Sequence, residues 1–476
     1  MLVGQVFSQA ETNLGHLRNV YQASYVDPAN YTDHRLSIGI PILSSNYVAF
    51  ANTGFAVKHL LTKEKIDGYH RLDEKALLRS LRNKNYIYTG LEVDLFHVET
   101  KIKNFHWSVY SRERVDVRFG YPEDLFELPL RGNGAFKGDV IDFSGLAVDA
   151  THFNELGIGM TMSGIKTVYG NVIVGGKIKL LQGRSNIRTS TSDATISISE
   201  DIYEHDVNGE LKIKTAGLPY SFQDGTTDFD PMSYFFNFKN LGVGIDIGGA
   251  IQLHEDLKLW GSMIDFGFIR WKTNPQALVA NGDLFIGGFD IATELLGDSS
   301  NLSVDLLKDS LKNAFTLDTL TNERYTTMTT TKFNVGVDYK IIKNLEATAT
   351  VNIFPYRGLR STLALGLYYE PWRFLNISIV NTMQYKMLIN PGFGLVIKPG
   401  PVQIYMVSDN ILGAAFNPYA SKSANFRIGI NLVFGKDEPQ IPPVLCPDHH
   451  TRHHKHKIKS NRPHRGSIRK LMKVKK

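Results

Sequence analysis

Three groups of residues in this chain could do chemistry. Asp94, His106 and Ser108 supply a carboxylate, an imidazole and a hydroxyl, the types that a nucleophilic relay uses. They share the polar parity of two neighbouring segments, 86–99 and 104–118, with Arg112 and Arg114 nearby. The same five residues therefore also read as a hydrogen-bonded network lining a wall. Asp224, Asp228 and Asp230 in DGTTDFD offer oxygens for calcium, but without the spacing of a calcium loop, and read better as an acidic surface loop. His449, His450, His453, His454, His456 and His464 could hold zinc or nickel, yet no surrounding pattern would fix their geometry. No catalytic, cofactor-binding or metal-binding residue is assigned, and the expectation is a protein that is not an enzyme and takes no cofactor.

The elements that carry these residues follow from a period of two. Residues 345–354 read LEATATVNIF, with Leu345, Ala347, Ala349, Val351 and Ile353 on one face and Glu346, Thr348, Thr350 and Asn352 on the other. Leu363, Leu365 and Leu367 repeat the pattern, as do Leu375, Ile377 and Ile379; Val402, Ile404 and Met406; and Phe426, Ile428, Ile430, Leu432 and Phe434. Upstream, Val172, Val174, Ile178 and Leu180 oppose Lys177 and Lys179. Such strands build either a soluble sandwich or a membrane barrel with its apolar face in lipid. Segments 104–118, 168–182, 240–252, 256–270 and 326–341 exceed the usual soluble strand and reach the roughly 9–11 residues that cross a bilayer. The faces opposite the apolar ones are rich in Gly, Ala, Thr and Asn, as a crowded lumen would be. Tyr86, Tyr88, Trp260, Trp271, Tyr368, Tyr369, Trp372 and Phe374 sit near segment ends, where girdles at the two interfaces would place them.

The mean hydropathy is −0.17, and no apolar run approaches the ~18 residues of a membrane helix. A barrel explains both facts, because half of each strand is hidden from lipid. The expectation is an all-β, transmembrane, antiparallel outer-membrane barrel over 35–435, with an even number of about 14–18 strands. Connections in the C-terminal half are short on both sides of the membrane. Longer excursions fall at 119–151, 218–239, 271–283, 299–325 and 409–423. Two short loop helices are expected, at 73–82 with Asp73 as cap and at 303–315 starting at Ser303.

The ends differ from the barrel. MLVGQVFSQA closes on Ser8-Gln9-Ala10, a small-x-small pattern that reads as a signal-peptide remnant cut before Glu11. Residues 11–34 then form a periplasmic or plug segment. Residues 436–476 hold twelve Lys/Arg and three Asp/Glu, a net +9 against +6 for the whole chain, so residues 1–435 carry −3. The tail reads as a disordered periplasmic extension. The single Cys446 lies in it and is not placed as a lipoprotein anchor.

Several separated motifs resemble an uncharacterised family of Bacteroidota outer-membrane barrels: GHLRNVYQASYVDPANYTDHRLSIGIPILSSNYVAFANTGF (15–55), SRERVDVRFGYPEDLFELPLRGN (111–133), FNELGIGMTMSGIKTVYGNVIVGGKIKLLQGRSNIRT (153–189), LGVGIDIGGAIQL (241–253), WGSMIDFGFIRWKTN (260–274), and VQIYMVSDNILG with NFRIGINLVFG. The likeness spans about residues 14–435 and implies a barrel without implying an activity. Asp27-Pro28-Ala29 resembles, more distantly, the Asn-Pro-Ala element of long-chain fatty-acid transporter barrels, with Asp in place of Asn; that broader group includes a shuttle barrel of the type 9 secretion system. The expected function is a structural or docking component of an envelope complex, in secretion or outer-membrane protein assembly, tethered through the tail. The alternative is a passive transporter of hydrophobic or small solutes. Expected partners are outer-membrane lipid and, through the tail, envelope proteins or peptidoglycan, with no nucleic acid. A filled lumen would favour docking, and an open path or a lateral gap would favour transport.

Overall fold

The computed structural model describes residues 11–17, 19–62, 70–200, 204–221, 226–227, 229–287, 316–355, 359–383, 389–410, 415–417 and 419–436. Residues 1–10, the expected helix at 303–315, Asp224, Asp228 and the tail from 437 lie outside these.

Among the described residues the chain forms a closed antiparallel barrel of 14 strands. They are β1 (His34–Gly39 and Asn46–Asn52), β2 (Asn85–Ile102), β3 (Phe105–Tyr121), β4 (Ala147–Thr167), β5 (Gly170–Ile198), β6 (Leu241–His254) and β7 (Leu257–Trp271). The circle continues with β8 (Tyr325–Met328 and Lys332–Ile342), β9 (Leu345–Pro355), β10 (Leu359–Trp372), β11 (Leu375–Met383), β12 (Pro391–Ile397), β13 (Val402–Ser408) and β14 (Ser423–Lys436). It closes where β14 pairs with both pieces of β1. Above the wall, strands Glu204–Ala216, Gln276–Gly287 and Thr316–Thr321 extend the sheet from the upper half of β5.

Tight turns join β2–β3, β4–β5, β6–β7, β8–β9, β10–β11 and β12–β13, all at the end where β1 begins and β14 finishes. The long excursions lie together at the opposite end. The expectation of short connections on both sides therefore holds only for β9–β10 and β11–β12. The excursion after β1 contains helix α3 (Glu74–Ser80), and Asp73 caps it by accepting from the Ala76 N–H at 2.9 Å. Its Leu77 and Leu81 pack with Tyr121 on the rim, as expected for a loop helix.

The opening alternation is a lipid-and-lumen alternation. Glu346, Thr348, Thr350 and Asn352 are buried inward, while Val351 and the neighbouring Leu363, Leu365 and Leu367 are exposed outward. Bulges then reverse the parity locally. One falls between Asp94 and Phe96 in β2 and another at Asp265 in β7. The girdle assignment is corrected for several aromatics. Tyr86, Tyr88, Trp260, Trp271 and Tyr368 point into the lumen and are buried. There the Trp271 indole N–H donates to Thr327 Oγ1 at 2.8 Å, and the Tyr88 hydroxyl donates to Asp116 at 2.9 Å. Trp372 and Phe374 do lie outward, stacked with ring centroids 5.7 Å apart at the tight-turn end, and Tyr369 is also outward.

Ala349→Arg is expected to destabilise the barrel by about 2–4 kcal/mol, the cost of a cation on the lipid face near mid-membrane. Thr350→Arg acts differently. Thr350 is 1% exposed and bonds His16 of the N-terminal segment at 3.0 Å, so the longer side chain displaces that segment rather than entering an open lumen. Urea titration of both variants checks this; equal loss of barrel stability without displacement contradicts the assigned faces.

Candidate functional site: the lumenal plug

Residues 11–17 and 19–33 run inside the barrel. They contain α1 (Thr12–His16) and a 3-10 turn at Tyr21–Tyr25, and almost every residue is buried. A short polar segment has little reason to fold alone. It is ordered because the wall satisfies it. Glu11 forms a two-point pair with Arg427 of β14 at 2.6 and 2.8 Å. Thr12 accepts from Asn352 at 2.9 Å, and Asn13 accepts from Ser378 at 2.7 Å. The Val26 carbonyl accepts from Ser262 at 2.7 Å and Asn334 at 3.0 Å; the Pro28 carbonyl accepts from Thr161 at 2.7 Å; Thr32 donates to Glu99 at 2.7 Å. One flank is apolar: Leu14, Leu17, Val20 and Val26 pack on Val396, Tyr405 and Val407.

Two wall glycines admit the plug. Gly175 of β5 and Gly248 of β6 are register partners. A methyl group at the first would collide with the Pro28 carbonyl, and at the second with the Asp27 carboxyl and the Pro28 ring. The backbone of Asp27-Pro28-Ala29 thus rests directly on the wall.

The plug also engages the interruption in β1. Between the two pieces of β1, Ser44 and Ser45 are buried inward, whereas Ile42 and Leu43 are 60% and 51% exposed on the outside. Gln22 donates to the Ser44 carbonyl at 3.0 Å, and Asn431 donates to Gln22 at 3.0 Å. The Tyr405 hydroxyl donates to the same Ser44 carbonyl at 2.9 Å. Next to it, Tyr21 stacks on His97 with centroids 4.2 Å apart, and Tyr25 donates to Asp94 at 2.8 Å. Lys177 donates to Ser24 at 2.9 Å and lies 4.8 Å from the Tyr25 ring and 5.0 Å from Tyr110, a cation held in an aromatic nest.

Around this, ion pairs cross the lumen. Glu155 contacts Arg112 at 3.1 Å, Arg114 at 3.0 Å and Lys179 at 3.2 Å. Asp265 takes Arg114 at 2.9 Å and Lys179 at 2.7 Å, and Lys179 also meets Asp246 at 2.7 Å. Glu92 joins Arg112, Arg114 and Arg427 at 3.4, 3.2 and 2.6 Å. With Glu11 and the nearby Lys332, the network holds five anions and five cations.

The sequence candidates fall inside this network without meeting as a relay. Asp94 lies opposite Arg112, while Ser108 lies opposite Glu99 and His106 opposite Lys101. At ~3.3 Å per residue, Asp94 and His106 are about 20 Å apart along the sheet. His106 stacks near Tyr31, centroids 4.3 Å apart, and approaches Glu99 at 4.0 Å. Asp230 caps the short helix α5 (Pro231–Phe235), accepting from Met232 and Ser233. Composition gave no sign that Gln22, Tyr25, His97, Lys177 or Arg427 would converge. The Asp27-Pro28-Ala29 element and the paired wall glycines were the available signals.

Asp27 lies in the plug, outside the spanning strands. Burial pushes its carboxyl up to about 6 from 3.8, although the Ala29 N–H and Lys258 favour the charge. The docked plug therefore favours the protonated carboxyl. That contribution is full below about pH 4 and is lost as pH rises through 6. It amounts to about 3 kcal/mol. Plug release should rise from pH 5 to pH 7.5, and Asp27→Asn should flatten the dependence. Channel openings in planar bilayers measure it, and a slope undiminished in Asp27→Asn contradicts the assignment.

A family model described as a family of unknown function, DUF5723, matches residues 28–409. The chain belongs to that family. No curated protein matches it. Among solved structures, it is similar to the Ralstonia pickettii toluene transporter TbuX at 8% identity, TM-score 0.40, covering 91% of this chain and 96% of that one. It is similar also to a Pseudomonas aeruginosa FadL homologue at 9% identity, TM-score 0.40, covering 91% and 100%. The Pseudomonas putida toluene transporter TodX stands at 8% identity, TM-score 0.39, covering 87% and 95%. The family match begins at Pro28, so it includes the end of the plug and the wall strands that seat it.

Proposed function

We propose that the protein is a passive outer-membrane transporter for small hydrophobic solutes, gated by its own N-terminal segment. One observation carries this reading. The lumen of a 14-strand wall is filled by a separable stretch of chain, held largely by side-chain hydrogen bonds. Each of those bonds exchanges with water at small net cost when the stretch moves. A filled lumen by itself would have favoured docking. A filling that hangs on polar bonds and joins the wall only at its own C-terminal end, where Thr32 leads into His34 of β1, is the construction of a gate.

The seam between plug and wall indicates the solute. Leu14, Leu17, Val20 and Val26 face Val396 and Val407, whereas the far side of the lumen is charged. An apolar solute passes along the seam without breaking ion pairs. At the tight-turn end the seam meets a cavity of about 250 Å³ where Leu17 and Val20 face a largely polar lining that includes Asn30, Gln252 and Lys258. Short turns support a periplasmic assignment for that end. The tail, with its net +9, is proposed to contact anionic envelope polymers or a partner, as an accessory to transport.

The test is uptake into proteoliposomes by the full chain. A monoaromatic hydrocarbon should enter faster than through protein-free bilayers, and a sugar of similar size should not. Equal rates with and without the protein sink the proposal.

A further inference from the structure

The outside of the wall carries a second polar site. On β3, Arg114 faces the lumen, so Glu113 faces out. On β4, Phe153 packs inside with Trp271, so His152 faces out, and its register partner is Ser185 of β5. Helix α5 lies over these residues. The Tyr234 hydroxyl is 2.8 Å from His152 Nδ1 and 3.0 Å from Ser185 Oγ. Glu113 Oε2 is 3.2 Å from His152 Nε2, and Glu113 Oε1 accepts from Arg184 at 2.9 Å. The order is carboxylate, imidazole, then one oxygen shared with a serine hydroxyl.

We propose that Glu113, His152 and Ser185 form an ester-hydrolysing site for amphiphiles of the outer leaflet, covered in this structure by Tyr234. The phenol oxygen stands within hydrogen-bond reach of both the base and the nucleophile, the position of a reacting substrate oxygen. Arg184 is 4% exposed, and its Nε and Nη1 have no partner among the described residues. Buried unpaired donors of this kind suit an oxygen that gains negative charge.

Position selects the substrate. Glu113 is about 20 Å above the tight turn of its hairpin, in the upper part of a ~25 Å apolar band. Directly below, Leu156, Ile158 and Leu180 are exposed to lipid. An acyl chain lying along them brings its ester to His152 and Ser185. Helix α5 stays in the membrane as it lifts, because Met232, Phe235 and Phe236 are 66%, 42% and 62% exposed.

Once Tyr234 withdraws from between them, Ser185 Oγ turns to His152 Nδ1, attacks the ester carbonyl carbon and passes its proton to that nitrogen. The bond to the alcohol oxygen breaks as His152 returns that proton to the leaving group. Water then cleaves the Ser185 acyl ester through the same base, releasing the carboxylic acid and restoring the hydroxyl. Glu113 is a positioning residue that orients the imidazole and stabilises its charged form.

The full chain, in mixed micelles with 1-palmitoyl-2-oleoyl phosphatidylethanolamine, should release fatty acid. A fluorophosphonate probe should label Ser185. Tyr234→Phe should hydrolyse about tenfold faster, since one hydrogen bond holding the cover is gone. His152→Gln should lose ~10²–10⁴-fold, and Ser185→Ala should fall to the protein-free rate. Glu113→Gln should lower kcat at unchanged KM, with partial recovery in Glu113→Asp. Heat-modifiable gel mobility shows which variants are folded barrels. No fatty acid and no Ser185 adduct from folded wild type and Tyr234→Phe overturn the proposal. Solute uptake is measured separately, so neither result stands for the other.

Discussion

A chain lacking residues 11–33 should still insert as a barrel and should conduct ions that the full chain excludes. The wall closes without the plug, because β14 pairs with β1 along residues that do not include the plug. Deletion leaves Asn352, Ser378, Asn334 and Thr161 without their plug partners, but in a lumen of this width water replaces them. The ion network loses only Glu11 directly, since its other members are on wall strands. Stepwise currents in planar bilayers should appear in the deletion and be absent from the full chain. The smaller substitution Gln22→Ala, which removes one donor to the Ser44 carbonyl and one partner of Asn431, should give brief openings. A deletion that inserts as a heat-modifiable barrel and stays silent would show that wall side chains, not the plug, close the lumen.

The wall was legible in the sequence, whereas for residues 11–34 a plug was one of two readings and none of its contacts could be read, for a physical reason. A strand announces itself because lipid and lumen impose opposite chemistry on alternate residues, as in LEATATVNIF. Asp73 likewise announced its helix through a local cap. The plug has no periodicity, because each of its residues answers to a different strand: Thr12 to β9, Asn13 to β11, Gln22 to the break in β1, Pro28 to β4. Nothing within a local window encodes such partners. The aromatic girdle failed for a related reason. One extra residue at Asp265 reverses which side Trp271 faces relative to Trp260, and a count along the sequence passes over it. The relay weighed for Asp94, His106 and Ser108, and not assigned, rested on correct parity but no register, and register puts them on different rungs. The outer cluster went unnoticed since Glu113, His152 and Ser185 stand on the face that alternation assigns to lipid.

Glu155→Gln is expected to cost about 3–5 kcal/mol, the largest loss of any lumenal substitution, because it removes the shared anion of a buried network. Glu155 is fully buried and touches three cations, Arg112, Arg114 and Lys179. Without its charge, Arg112 keeps Glu92 at 3.4 Å, and Arg114 keeps Glu92 and Asp265. The three cations then repel across a site that excludes water. The amide presents a neutral oxygen to one of them and brings N–H donors that no neighbouring cation can accept. Arg112→Met alone should also be costly, since it leaves Glu155 and Glu92 with one fewer partner and removes the cation 4.2 Å over the Tyr25 ring. Combined with Glu155→Gln it should cost less than the sum, because each change relieves the unpaired charge left by the other. Urea unfolding followed by gel mobility gives all three values. Salt separates this network from exposed pairs. At 1 M, screening acts over about 3 Å in water, and Arg131–Glu127, half-exposed on the loop helix Asp124–Arg131, should then contribute nothing, while the penalty at Glu155 persists. An additive double variant, or a penalty that vanishes in 1 M salt, would mean that this site is hydrated and that these pairs do not stabilise the wall.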